Sequence, residues 1–203
     1  MTVISKRVFR PLPGKATLLL ERVRRLSEIM TRAGGRMRIA SVAWGDGARD
    51  IHLYGVFENI EAGGKTATAV NADPTSVALR AEAEKEPASN WEGPEVWRCV
   101  YGEPQPSFPV LLQREYEIDR RNLKSALALL PEVQALQGDR PVLGVVPAIS
   151  GDMGRLMVVY YATSLIDLGA RMDRIGPSDA FQAILVRAAE FGKLTKSRVL
   201  TNI

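Results

Sequence analysis

The chain has 203 residues, of which 46% are hydrophobic and 25% are charged. This composition excludes an intrinsically disordered chain, and no apolar run is long enough for a membrane-spanning helix. Lys and Arg number 27 against 23 Asp and Glu, a net charge of +4. Through Pro106 there are 15 basic and 13 acidic residues, and 12 and 10 follow, so each half carries +2. Because no basic block stands out, we expect neither nucleic-acid nor membrane binding.

The chain has few residues suited to metal binding or redox chemistry. Cys99 is the only cysteine and His52 the only histidine, so we expect no intrachain disulfide, no metal site and no cofactor. Residues 1–10 alternate like a β-strand and lack the apolar centre of a signal peptide. These features predict a soluble cytoplasmic protein.

The first half reads as strand, helix, strand, strand, helix, strand. Its first helix shows apolar residues at helical spacing and is ended by Gly34-Gly35, and Asp73 before Pro74 predicts the start of a later helix. The predicted elements are a strand around 6–9, a helix over 19–30, strands over 37–44 and 51–57, a helix after residue 73 and a strand over 96–101.

The second half repeats this order. In an alignment of the two halves, Gln113–Tyr116 corresponds to Lys6–Phe9, and Ser178 corresponds to Asp73 as the predicted helix cap. Pro131 is expected to kink the first helix of this half. The predicted elements are a helix over 123–133, strands over 142–148 and 156–162, a helix after residue 178 and a strand over 197–200.

Each half therefore predicts a ferredoxin-like α+β unit, in which helices cover one face of an antiparallel sheet. Two such units in one chain predict that the uncovered faces pack together as an intrachain pseudo-dimeric α+β barrel. The predicted division is a first repeat over 1–103, a linker over 104–109 containing Pro104-Gln105-Pro106, and a second repeat over 110–203.

Short motifs in the first half resemble those of NIPSNAP-like proteins within the dimeric α+β barrel superfamily. They are Arg7-Val8-Phe9 with Pro13-Gly14-Lys15, then Asp50-Ile51-His52-Leu53-Tyr54, Asn59-Ile60 and Ala72-Asp73-Pro74. The resemblance covers residues 3–101 and, more weakly, 110–200. It implies the barrel fold. It implies no single activity, because the superfamily includes cofactor-independent monooxygenases, haem-degrading enzymes, dismutase-like enzymes and proteins without settled chemistry.

Strand alternation predicts which side chains face the barrel interior. An apolar set of Ile4, Val8, Ile39, Ile51 and Leu53 is expected beneath the helices. The opposite, more polar set is expected inside the barrel. In the first half that set is Ser5, Arg7, Phe9, Arg38, His52, Tyr54 and Arg98; in the second it is Arg114, Tyr116, Met157, Val159, Tyr161 and Arg198.

His52 and Tyr54 are the candidate catalytic residues. Histidine transfers protons near neutral pH, and Tyr54 shares its strand face and is placed to orient a substrate. The alternative is structural: a buried histidine bonded to a neighbour, and a tyrosine that fills barrel space. Where the first half has His52 and Arg38, the second has Met157 and Val142, so a functional site is predicted in the first half.

The candidate ligand-binding residues are four arginines and one tryptophan. Guanidinium groups present a planar fork of donors to an anion, although ion pairing with carboxylates is the alternative role. Trp44 is expected at the mouth of the pocket, or otherwise as packing. The arginines are Arg7, Arg38, Arg98 and Arg114.

Two functions are therefore left open. The first is a barrel that binds or transforms a small anionic or carbonyl-containing metabolite, as a cofactor-independent oxygenase or isomerase would. The second is a non-catalytic barrel that acts through assembly or a protein partner. A ligand-sized pocket between the sheets would favour the first, and an interior filled with side chains the second. Homodimerisation of the two-repeat chain is a further expectation.

Overall fold

The structure is a computed structural model that describes residues 1–203. The first repeat has four strands and three helices, connected by short turns. Its elements are β1 (Val3–Pro11), α1 (Ala16–Arg32), β2 (Arg36–Gly45), β3 (Ile51–Phe57), α2 (Ile60–Ala72), α3 (Pro74–Lys85) and β4 (Ser89–Tyr101).

The second repeat has the same strand order. Both of its helical segments consist of two helices, whereas in the first repeat only the second segment does. Its elements are β5 (Val110–Ile118), a 3₁₀ turn (Arg120–Asn122), α4 (Leu123–Ala128), α5 (Leu130–Gln137), β6 (Val142–Ile149), β7 (Arg155–Ala162), α6 (Leu165–Ile175), α7 (Asp179–Ala189) and β8 (Gly192–Asn202).

The eight strands form one closed antiparallel barrel in the order β1-β3-β2-β8-β5-β7-β6-β4. The closing strand of each repeat forms one of the two seams, because β4 pairs with β6 and β8 pairs with β2. Closure leaves no free sheet edge. The predicted α+β class and the intrachain pseudo-dimeric barrel are confirmed.

The local signals in the sequence account for the helix ends. The Asp73 carboxylate accepts a hydrogen bond from Thr75 N at 2.7 Å, and Ser178 Oγ accepts one from Phe181 N at 3.3 Å. Gly34, with φ at +96°, follows the end of α1. The predicted helix over 123–133 is interrupted between α4 and α5, and Pro131 lies in the first turn of α5.

The structure differs from the predicted elements in two ways. The closing strands β4 and β8 begin earlier than the sequence pattern indicated, because their early residues are mostly exposed and so show no apolar alternation. The second helical segment of each repeat consists of two helices, divided at the capping residues Asp73 and Ser178.

The domain limits stay a prediction; β4 ends at Tyr101 and β5 begins at Val110. No helix has the length and apolar character needed to cross a membrane.

Three apolar clusters build the interior. One fills the barrel between the two halves of the sheet and includes Trp97, Val145 and Leu200. A second packs β1 and β3 against α1, α2 and α3, and the third packs β5 and β7 against α4 to α7. The sheet is therefore covered on both faces, and side chains on either face of a strand are buried.

The predicted sheet faces are wrong for β1, β4 and β5. Ile4 lies in the barrel cluster, so Lys6 and Val8 share the barrel face, whereas Val3, Ser5 and Arg7 face the helices. Arg98 lies outside the barrel and is exposed, next to the interior Trp97 and Cys99; Arg114 and Tyr116 likewise face the helices of the second repeat. The prediction holds for Arg38, His52, Tyr54, Met157, Val159, Tyr161 and Arg198.

Candidate functional site

His52 and Tyr54 meet inside the barrel. Tyr54 Oη lies 2.7 Å from His52 Nδ1, and Gln113 Nε2 donates to Tyr54 Oη at 2.9 Å. Tyr54 Oη also lies 3.2 Å from Gln113 Oε1, so the hydroxyl has two acceptors within reach, Gln113 Oε1 and His52 Nδ1, and the tautomer of His52 decides which of them it donates to. His52 Nε2 is buried and has no hydrogen-bond partner. The side chain of His52 is fully buried.

The surroundings of His52 hold it neutral. Burial, followed by the charges of Lys6 and Arg198, lowers the pKa of His52 to about 2. Burial also raises the pKa of Tyr54 well above its usual value. Neither residue lines the two cavities described below. The catalytic role of this pair stays a prediction.

A buried ion cluster adjoins this pair and connects the two repeats. Glu115, from the second repeat, accepts from Lys6 Nζ at 3.2 Å and from Arg198 Nη2 at 2.7 Å, and Arg155 Nη1 lies 3.5 Å from it. Burial acts to raise the pKa of Glu115, but the charges of Lys6 and Arg198 outweigh it and the net shift is downward. Removing one member of such a cluster would leave an uncompensated buried charge.

The ion cluster opens into a polar cavity of about 310 Å³ at one mouth of the barrel. Val8 is its only apolar lining residue. Five basic side chains are matched by five carboxylates: Lys6, Arg10, Arg155, Lys196 and Arg198 against Asp46, Asp50, Glu92, Glu95 and Glu115. The formal charges of the lining therefore balance.

Arg38, Trp44 and Arg98 lie apart from one another. Arg38 binds the segment between the repeats, donating from Nη2 to the Phe108 carbonyl at 2.7 Å. Trp44 is 53% exposed near the end of β2, and Arg98 is exposed outside the barrel. Of the seven predicted site residues, the structure joins His52 and Tyr54 by a hydrogen bond and places Arg38 directly opposite Tyr54 on the neighbouring strand. The ligand-binding roles stay predictions.

Arg7 lies at a much larger cavity, between the sheet and the helices of the first repeat. We call this the first-repeat cleft. Its volume is about 750 Å³, and it is bounded by β1, α1, α2, α3 and the start of β4. More than half of its lining residues, 16 of 29, are hydrophobic, among them Leu19, Val23 and Leu79. Cavities of this size and composition are typical of small-molecule sites.

Arg114 is the counterpart of Arg7 but has quite different surroundings. Arg7 pairs with Leu53 across the sheet and Arg114 pairs with Val158, which are equivalent positions in the two repeats. The guanidinium carbon of Arg114 lies 5.6 Å from the ring centroid of Tyr160 and 5.9 Å from that of Phe181. Aromatic rings thus cover Arg114 within a packed core.

Small residues of the first repeat take the places of these bulky ones. Under the same alignment, Leu112, Tyr160 and Leu168 of the second core correspond to Ser5, Gly55 and Gly63, and the buried Phe181 corresponds to Ser76. Ser5, Gly63 and Ser76 line the first-repeat cleft. Two exchanges run the other way, because Phe57 corresponds to Ala162 and Ile39 corresponds to Gly144. The cleft occupies space that side chains fill in the second repeat.

Ser5, Gly63 and Ser76 were not among the predicted site residues. Small residues carry no chemical signal in a single sequence. The available signal was the comparison of the two repeats, in which each of them stands opposite a large apolar residue.

No protein-family model matches the sequence, and the search of curated proteins found no match. An anthrone oxidase-like protein of known structure is similar over 100% of this chain and 91% of that chain, with 14% identity and a TM-score of 0.68. A regulator of staphylococcal pathogenesis matches over 100% of both chains, with 7% identity and a TM-score of 0.60.

The fold is that of the dimeric α+β barrels, built within one chain. A NIPSNAP family protein from Agrobacterium tumefaciens is also similar, with 17% identity and a TM-score of 0.40, over 49% of this chain and 90% of that chain. The dimeric α+β barrel fold expected from the sequence is confirmed by the strand order and by the structures that match the whole chain.

Proposed function

We propose that this protein binds a small, mainly apolar organic molecule in the first-repeat cleft. The observation that carries the proposal is the difference between the repeats: the second packs large side chains between sheet and helices, and the first leaves about 750 Å³ there. When nothing occupies this open cleft, part of its apolar lining faces water, which is unfavourable. A bound apolar molecule would cover that surface.

The first-repeat cleft lies on the helix side of the sheet, whereas the sequence predicted a pocket in the barrel interior. The barrel interior around Trp97, Met157 and Leu200 is closed by side chains. His52 and Tyr54 lie on the barrel side of β3, so the sheet separates them from the cleft. Binding is therefore the function that the geometry of the cleft supports.

Chemical transformation of the ligand is a further step. A general acid or base must reach the reacting atom, and Glu84 is the only carboxylate among the residues that line the cleft. The anthrone oxidase-like neighbour supports a small-molecule function only through its fold. The oxygenase or isomerase reaction considered from the sequence stays a prediction.

The test is a metabolite screen by thermal shift on three proteins: the parent, Ser76→Phe and Val77→Phe. Ser76 lines the cleft, and its replacement introduces the residue that the second repeat has at that position. Val77 is the next residue of α3 and is 52% exposed, which makes it the matched control.

We expect one or more apolar compounds to raise the melting temperature of the parent and of Val77→Phe, and to have a much smaller effect on Ser76→Phe. Tryptophan fluorescence gives a second readout, because Trp91 lines the cleft. Equal shifts in all three proteins, or no binder in a broad screen, would overturn the proposal and favour the non-catalytic, partner-binding alternative.

A further inference from the structure

Arg7 places a positive charge at the sheet side of the first-repeat cleft. Its Nη1 is buried and has no hydrogen-bond partner. Burial lowers the pKa of Arg7, and no carboxylate offsets that effect. The guanidinium nevertheless stays charged at physiological pH, because its ordinary pKa is so high. The Arg7 side chain as a whole is half-buried. A cation withdrawn from water without a counter-ion is costly, and a bound anion would relieve that cost.

Ser5 adds a second polar group on the same face of β1. Ser5 lies two residues before Arg7, and both side chains line the cleft. Ser5 Oγ is also buried without a hydrogen-bond partner. Two unpartnered groups therefore lie next to each other on one wall of an otherwise apolar space.

The charge balance of the cleft favours an anion. Arg7, Arg22 and Arg80 line it, against the single carboxylate of Glu84. Arg22 is directed toward the end of α3, where it donates to the Glu86 carbonyl at 2.6 Å, and Arg80 donates to Asn71. Arg7 is the arginine of this set that has no partner in the protein.

In the second repeat, the arginine equivalent to Arg7 is covered by aromatic side chains of the protein itself. Arg114 is covered by the rings of Tyr160 and Phe181, and Leu112 stands at the position of Ser5. The first repeat thus lacks the aromatic cover of its arginine and has a hydroxyl beside it. Both differences suit a ligand with an anionic group at this wall.

We propose that the ligand of the first-repeat cleft is an amphiphilic carboxylate. Its carboxylate accepts hydrogen bonds from the Arg7 guanidinium and the Ser5 hydroxyl, and its apolar part lies against the helix residues Leu19, Val23 and Leu79. A guanidinium binds a carboxylate through two parallel hydrogen bonds, which fixes the orientation of the ligand. This inference rests on the proposed binding function and adds the chemical class of the ligand.

The experiment compares dodecanoate with dodecanol by isothermal titration calorimetry, below the concentrations at which either aggregates. The two probes share an apolar chain and differ in the charge of the headgroup. The proteins are the parent, Arg7→Met, Arg7→Lys, Ser76→Phe and Arg36→Met. Arg36 is an exposed arginine on β2 that does not line the cleft, and it serves as the control for non-specific charge attraction.

We expect the parent and Arg36→Met to bind dodecanoate more tightly than dodecanol. Arg7→Met should weaken dodecanoate binding about 10-fold or more, because hydrogen bonds to charged groups are strong when desolvated, and should leave dodecanol binding unchanged. Arg7→Lys should lie between, since it keeps the charge and loses the fork. Ser76→Phe should weaken both probes.

The remaining outcomes separate the two proposals. If the parent binds both probes equally, and Arg7→Met changes neither while Ser76→Phe abolishes both, the carboxylate inference fails and the binding function stands. If the parent binds neither probe, the carboxylate inference fails, and the metabolite screen alone then decides the binding function.

Discussion

The helix layers of the two repeats show how one scaffold yields two different interiors. Both repeats place an arginine at the same position of their first strand, facing the helices. In the second repeat Tyr160 and Phe181 cover Arg114, and the layer is a packed core. In the first, the space in front of Arg7 is a cleft of about 750 Å³.

The difference is produced by a few side chains. Ser5, Gly63 and Ser76 in the first repeat oppose Leu112, Leu168 and Phe181 in the second. The strand order is the same in both halves, and the last helix of each half is capped by a side chain, although α1 is one long helix and its counterpart is divided into α4 and α5. A duplicated fold can thus keep one half as packed support and open a site in the other, because packing within each helix layer is local.

The largest expected effect comes from truncating the second-repeat core. Phe181→Ala should lower the free energy of unfolding by about 3–5 kcal/mol, because Phe181 is buried and its loss leaves a cavity. Ser76→Ala, at the equivalent position in the first repeat, should change it by less than about 1 kcal/mol. Urea unfolding of both variants measures this. Similar losses would show that the two layers do not differ in packing as described.

The barrel face offers a second way to test the comparison, because His52 in the first repeat stands where the second has Met157. The folded-state pKa of His52 is about 2, below its ordinary value of 6.5, so the unfolded chain takes up the proton first. Stability from this group is complete above pH 6.5 and declines as the pH falls below it. The loss should reach about 2 kcal/mol at pH 5.

His52→Met isolates that contribution. Between pH 7.5 and pH 5, the variant should lose about 2 kcal/mol less stability than the parent, since the carboxylates titrate alike in both. Urea unfolding at the two pH values gives the difference directly. An identical loss in parent and variant would mean that His52 is not held neutral in the folded protein.

The smallest expected effect is a change in stability of opposite sign when Arg7 or its counterpart Arg114 is replaced. Arg7→Met should raise the free energy of unfolding of the ligand-free protein by up to about 1 kcal/mol, because it removes a half-buried charge without a partner. Arg114→Met should lower it by about 1 kcal/mol through the loss of contacts with Tyr160 and Phe181, although Arg114 Nε also lacks a partner. Thermal and urea unfolding check both signs. A loss of stability in Arg7→Met would argue that the arginine is structural.

The amino-acid sequence by itself determined the repeat and the elements of each half. Asp73, Ser178 and Gly34 act locally: a carboxylate or hydroxyl satisfies free amides at a helix start, and glycine adopts a positive φ after a helix end. Such signals depend on residues close in the chain, and they correctly predicted the tandem ferredoxin-like units. The two-repeat barrel followed, because each unit alone would leave one sheet face exposed.

Only the tertiary structure decided which strand face is which. In β1, Ile4, Lys6 and Val8 alternate with Ser5 and Arg7, and both sets contain apolar and polar residues. Alternation identifies a solvent-facing side, but here both faces of the sheet are buried, one in the barrel and one beneath helices. The pattern therefore could not place Arg7.

The polar contacts also required the folded chain. Lys6 and Glu115 are 109 residues apart and meet only when the two repeats close the barrel. The cleft depends on the same closure, since Ile149 of the second repeat contributes to the lining of the first. A single sequence shows which side chains are small, charged or apolar; whether they surround a space or fill one is set by contacts between distant segments.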